Sequence, residues 1–238
     1  MLKNLNDKSV LVIGGSSGIG FATAQMAHEA GAKVTLAARD ARRLAEAADR
    51  IGGPLATREV DLRDDASVAA LFDQSAPFDH VIVTASQVKI APVRDLPLED
   101  AFASFESKFW GFYRVARHAA IREGGSLSVV SGYLANRPVA GRSLMVAINA
   151  ALEGLTRGLA LELAPVRVNA LSPAMVQTEM WNGLSEADRQ ALFAKTAESY
   201  PAGVIGRPED VAAQLLLLAA SPYATGTVVM LDGGASLI

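Results

Sequence analysis

Val10-Leu11-Val12-Ile13-Gly14-Gly15-Ser16-Ser17-Gly18-Ile19-Gly20-Phe21 is the stretch on which the fold turns. Val10 to Ile13 is an apolar run of strand length. It runs straight into a loop in which Gly14, Gly18 and Gly20 are spaced G-x-x-x-G-x-G. Phe21 to Ala30 is rich in alanine and reads as a helix, with Gly31 placed to end it. Strand, glycine loop and helix in that order make the first half of a βαβ unit. Glycine lets the backbone turn tightly and approach a pyrophosphate closely, while the helix N-terminus offers free amides and the positive end of its dipole. The other reading, a glycine turn that binds nothing, fits less well with the alternating chain around it.

Outward from this loop, strand-like and helix-like segments alternate. Lys33 to Ala38 reads as a second strand, Arg42 to Arg50 as a helix and Arg58 to Val60 as a weak third strand. Ala66 to Asp73 is a short helix and His80 to Val83 a fourth strand. Glu99 to Arg122 reads as one long helix, Ser126 to Ser131 as a fifth strand, and Ser143 to Leu163 as a helix stopped by Pro165. Val166 to Leu171 is a sixth strand, Pro208 opens another helix, and Thr227 to Leu231 is a seventh strand. This alternation predicts an α/β fold of Rossmann type, a doubly wound parallel seven-stranded sheet with helices on both faces. No repeat or composition break divides the chain, so 1–238 is expected to be a single dinucleotide-binding domain. Thr178 to Arg207 interrupts the alternation and reads either as a lid over a substrate pocket or as an insertion that only packs.

The end of the second strand reads Ala38-Arg39-Asp40. A site for an unphosphorylated ribose places a carboxylate at that strand end to accept from the 2′-hydroxyl. Ala38 removes the anion, and the Arg39 guanidinium suits a 2′-phosphate. NADP(H) is therefore expected in preference to NAD(H), with Asp40 next door arguing mildly the other way.

Charge and composition narrow the classes. The 238 residues carry 22 basic and 25 acidic side chains, a net charge of −3, and half are apolar. Disorder is excluded, and a nucleic-acid partner is not expected without a basic excess. The absence of cysteine removes disulfides, thiol catalysis and thiolate metal sites. His28, His80 and His118 have no motif spacing, so no metal is expected. Met1 to Asp7 lacks the apolar core of a signal peptide. The apolar run Leu215 to Ala220 is far shorter than the roughly 18 residues of a membrane span. A soluble, cytoplasmic protein with no membrane partner is expected.

Taken together, these residues resemble the short-chain dehydrogenase/reductase family from about Lys8 to the C-terminus. Ile13 to Gly20 looks like its nucleotide loop, with Ser16, Ser17 and Ile19 among the glycines and Ile13 where threonine is usual. Asp61-Leu62 resembles the pair that contacts adenine, and Val83-Thr84-Ala85-Ser86 stands where the family has Asn-Asn-Ala-Gly. Ser172 to Thr178 resembles the segment beside the nicotinamide, with Pro173, Val176 and Thr178 in place and Ala174 for glycine. Gly206 to Ala212 and Thr225 to Gly234 match the C-terminal pattern. The resemblance implies oxidoreductase activity on a small molecule and a homotetramer or homodimer.

It also implies a catalytic asparagine, serine, tyrosine and lysine, and here the chain departs. Ala150 to Leu155 aligns the long helix without gaps. Met145 then occupies the tyrosine position and Asn149 the lysine position. Gly132 stands at the serine position, with Ser131 one residue early, and Lys108 stands at the asparagine position. A thioether cannot shuttle a proton, and an amide cannot carry the lysine's charge. Lys108 and Asn149 exchange two of the family's residues, so the pair is expected either to keep a polar contact near the nicotinamide ribose or to be a coincidence. Tyr133 is the one phenol near this site in sequence, either a replacement acid tuned by Lys108 or a packing residue in a loop. Three functions follow. The first is an NADP(H)-dependent reductase using Tyr133, Lys108 or Ser131. The second is a catalytically silent NADP(H) binder, a sensor or an inactive subunit. The third, specified by no residue pair, is non-redox chemistry in the same pocket.

Overall fold

The computed structural model describes residues 2–238, with the side chains of residues 2 and 3 left aside. The apolar runs pair as parallel strands: β1 (Ser9–Ile13), β2 (Lys33–Ala38), β3 (Ala56–Glu59), β4 (Phe78–Val83), β5 (Ile121–Val130), β6 (Arg167–Pro173) and β7 (Val228–Leu231). The order across the sheet is β3-β2-β1-β4-β5-β6-β7. Chain direction reverses its winding between β1 and β4, where Ile13 is in register with Val83. A crevice opens there, above the carboxyl ends of the strands.

The two-residue period of β1 assigns the two faces. Leu11 and Ile13 point to one side, Val10 and Val12 to the other, and all four are buried. On the first side lie α3 (Asp65–Asp73), α5 (Gly111–His118) and α6 (Ser143–Glu162), which supply Val68, Phe112, Ile148 and Leu152 to the core. On the second lie α1 (Gly18–Glu29), α2 (Ala41–Ile51) and α8 (Pro208–Ala220), through Ala24, Leu44 and Leu215. Two further helices are α4 (Leu98–Phe105), which reaches the first core through Phe105, and α7 (Glu186–Ser199), which buries no residue fully. α6 is apolar and long enough, by composition and its 20 residues, to cross a membrane. Its stripe Ile148, Leu152 and Leu159 instead docks in the core.

Three elements differ from their expected form. The single helix expected over Glu99 to Arg122 is two helices, α4 and α5, joined by one turn of π-helix at Glu106–Trp110. β5 begins at Ile121 rather than Ser126, because Gly125 lets it approach β4: a Cβ there would meet the Asp79 carbonyl at 2.3 Å. Within Thr178 to Arg207 lies the unforeseen helix α7, capped by the Ser185 hydroxyl, which accepts from the Asp188 N–H at 3.1 Å.

Candidate active site

The glycine loop is held by contacts that leave its glycines no room for side chains. A Cβ on Gly20 would lie 2.1 Å from the Gly14 carbonyl oxygen, and one on Gly14 would meet Thr84 and Ala85 at 2.6 Å. Thr84 and Ala85 both donate backbone N–H bonds to the Ile13 carbonyl, at 2.9 and 3.2 Å. The strand-end residues Thr84 and Ala85 and the glycine loop therefore form one surface. Ser86 is exposed at its rim. Opposite Gly18 stands Thr178, whose methyl a Cβ there would meet at 3.2 Å. Pro173 and Val176 are buried below it, and Val176 bridges to Gly206.

The start of α1 fits a phosphate. Asp40, Asp64 and Ser185 cap α2, α3 and α7 with side-chain oxygens. At α1 the Ser17 side chain makes no capping bond, and the first turn holds no acidic residue. The orphan N–H groups of this turn are left for an anion, and the positive end of the helix dipole faces it. At the neighbouring strand end Arg39 is exposed, while Asp40 is engaged in capping, its carboxylate accepting from the Arg43 N–H at 3.0 Å. That bond engages the carboxylate next to Arg39 in sequence. Asp61 is gripped by the Arg63 guanidinium at 2.6 and 3.0 Å. Chiefly that bond, with help from the Arg39 charge, holds its carboxyl below the usual range. Leu62 turns inward against Gly111, and its carbonyl accepts from Arg114 at 3.1 Å.

Lys108, Gly132 and Asn149 also meet. The Lys108 ammonium donates to the Asn149 Oδ1 at 2.8 Å and to the Ser131 carbonyl at 2.9 Å. The exchanged pair thus keeps its polar contact, across 41 residues of chain. The π-turn brings Lys108 there: Gly111 donates to the Glu106 carbonyl five residues back, which widens the helix at the lysine. Burial pushes the Lys108 ammonium down to about 8. A Cβ on Gly132 would lie 2.7 Å from the Asn149 Nδ2, so any side chain at 132 would compete with the asparagine for space. Met145 sits one helical turn before Asn149 and is partly buried.

Ser131 is turned away from the crevice. Its hydroxyl donates to the Glu153 Oε1 at 3.1 Å, and so does the Ser172 hydroxyl, at the same distance. Glu153, on the buried face of α6, ties the ends of β5 and β6 together. Tyr133 follows in a short 3-10 turn, Tyr133–Ala135, and among the described residues no hydrogen bond joins it to Lys108. The histidines lie elsewhere. His80 is buried against Ser126, where burial lowers it to about 4, and His118 pairs with Asp65.

The comparisons with known proteins agree with the fold. A family model described as enoyl-(acyl carrier protein) reductase matches residues 14–236. A short-chain dehydrogenase/reductase of Stachybotrys chlorohalonatus, ATR9, is 34% identical over 99% of this chain and 100% of its own. The chain belongs to the short-chain dehydrogenase/reductase family. The galactitol 2-dehydrogenase (L-tagatose-forming) of Cereibacter sphaeroides is also 34% identical, over 97% of this chain and 95% of that one. A small-chain dehydrogenase solved in complex with NADPH superposes with a TM-score of 0.82 at 33% identity, covering 98% of this chain and 100% of that one. The family model thus spans the glycine loop's Gly14, the Lys108–Asn149 contact and the C-terminal segment alike.

Proposed function

We propose that this short-chain dehydrogenase/reductase binds NADP(H) in preference to NAD(H) and reduces a small carbonyl compound, or oxidises the corresponding alcohol, in a non-standard active site. The observation that carries the reading is the Lys108–Asn149 contact of 2.8 Å at the end of β5. A cation and an amide remain side by side where the family uses them, supplied from opposite elements. NADPH, when bound, supplies the hydride. The uncapped start of α1 would hold the pyrophosphate, Arg39 the 2′-phosphate, and Thr84, Val176 and Thr178 the nicotinamide end. Lys108 lies where the ribose hydroxyls are expected, and Tyr133 is the candidate proton donor. General acid help of this kind contributes roughly 10²–10⁴ in rate. The segment 178–207 closes over the crevice as a lid, with the Trp181 indole donating to the Val176 carbonyl at 3.0 Å to fasten its near end. The relatives' oxidoreductase names and the NADPH complex of a similar structure support the class and the cofactor. A cytoplasmic homodimer or homotetramer fits the exposed apolar face of Leu98 and Phe102.

Calorimetric titration with NADPH and NADH tests the cofactor. NADPH is expected to bind more tightly, and Arg39→Ala to weaken it about 10- to 100-fold, the worth of a charge-assisted hydrogen bond. Turnover of a carbonyl panel tests the chemistry, with Tyr133→Phe expected to remove most of it. Undiminished activity in that variant dismisses Tyr133 as the acid. A second reading is favoured by Met145, which places no proton donor at the tyrosine position: the protein binds NADP(H) and stays catalytically silent. Tight NADPH binding without turnover of any panel member decides for it.

A further inference from the structure

The crevice contains a second phenol, Tyr200, brought from the far end of α7. It is 91% buried, being 9% exposed. Its surroundings are the loops that leave the carboxyl ends of β5, β6 and β7. Its hydroxyl oxygen accepts from the Met175 N–H, just after β6, at 3.4 Å. Tyr133, just after β5, and Asp232, just after β7, lie close enough to act on it electrostatically. The ring is fixed from below. A Cβ on Gly233 would meet the Tyr200 ring at 3.3 Å, and the Ala202 N–H donates to the Gly233 carbonyl at 2.9 Å. The single bond from Met175 leaves the phenol O–H without an acceptor among the described residues. The ring is buried while the O–H keeps a free donor at the carboxyl ends of the strands, where a residue that only packed could equally be phenylalanine.

We infer that Tyr200 is a substrate-binding residue, whose O–H donates a hydrogen bond to the oxygen of the carbonyl or alcohol substrate. The inference rests on the oxidoreductase reading above and adds the group that holds the substrate's oxygen. Burial, chiefly, and then the neighbouring Tyr133 and Asp232 raise the phenol above its ordinary value, against the Met175 bond. It therefore stays protonated, a donor, through the neutral range. Tyr133 and Tyr200 thus come to the carboxyl ends of the strands from different elements, one from the β5–α6 loop and one from the end of α7. The substrate class this fits is a small ketone or secondary alcohol with a single oxygen at the reacting carbon.

The test compares wild type with Tyr200→Phe, which keeps the ring on Gly233 and removes only the hydroxyl. NADPH binding is measured by calorimetry, melting temperature by calorimetric scan, and reduction of a panel of aldehydes and ketones by NADPH absorbance. The expected result is unchanged NADPH affinity and melting temperature with kcat/KM lowered on the order of 10²-fold, the scale for removing one donor to a reacting oxygen. Equal kcat/KM in the two proteins overturns the inference and leaves the oxidoreductase reading standing. A fall in melting temperature that accounts for the lost rate, with KM and kcat unchanged per folded molecule, also overturns it. Wild type that fails to bind NADPH, or binds it and reduces no panel member, overturns both.

Discussion

The two ends of the crevice obey different constraints. At the β1–α1 end the residues are dictated by space: Gly20 approaches the Gly14 carbonyl so closely that no side chain fits. At the β5–α6 end polar side chains meet instead, Lys108 on Asn149 beside Gly132, and under the proposed function that is where the chemistry has been rearranged. The sheet does not register the second change, since none of those side chains fills the main core. A backbone cradle is part of the fold and changes only with it. A side-chain relay is attached to the fold and can be rebuilt in place.

The contrast breaks most sharply at Gly20. Gly20→Ala forces a Cβ into the Gly14 carbonyl, and overpacking of this kind costs roughly 1–3 kcal/mol or more. NADPH affinity is expected to fall at least about 10- to 100-fold in calorimetry, with a lowered urea midpoint. Retained binding would show that the loop is not the cofactor's cradle. A smaller effect probes the other end. Lys108→Asn leaves two amides facing each other, and Asn149→Lys sets two ammonium groups together. The double exchange restores the pair in the opposite order, so the losses should not add, with a coupling of about 0.5–3 kcal/mol between them. Urea unfolding of the four proteins, with and without NADPH, measures it, and simple additivity would make the exchange a coincidence.

The smallest effect is one of pH. Unfolded, Lys108 titrates near the ordinary lysine value of 10.5, and in the fold burial brings it to about 8. Between those values the unfolded chain holds a proton that the folded chain has shed, so stability rises with pH across that window. Below it, both states are charged and the contribution is flat. Lys108→Met should flatten the rise, read as urea midpoints at pH 7.5 and 9.5.

Much of the architecture was legible because period and punctuation agree in it. Lys33 to Ala38 is a strand with the expected bounds, and Gly31 ends α1 with a positive φ of 85°. The π-turn was not legible, because nothing in Glu106 to Trp110 distinguishes a turn of five residues from one of four. The early start of β5 was hidden for a related reason: Gly124 and Gly125 look like loop, and only the nearness of Asp79 makes Gly125 a strand residue. α7 had left a signal, Ser185 followed by Asp188, that pattern reading passed over. In the site, the loop residues and the Lys108–Asn149 exchange could be read by register against the family. The turning of Ser131 toward Glu153, and the arrival of Tyr200 at Met175, 25 residues away, depend on contacts that no local pattern encodes.

The wide turn at Glu106–Trp110 makes one rod carry two separately aimed faces. Upstream, Leu98 and Phe102 point outward, 74% and 71% exposed, while within the turn itself Lys108 reaches inward to Asn149. An α-helix turns by about 100° per residue. Deleting one residue from the wide turn would rotate one face against the other by that angle. The lysine would be unscrewed from its socket while its own codon stayed intact, so single-residue deletions here should matter more to this protein than most substitutions nearby.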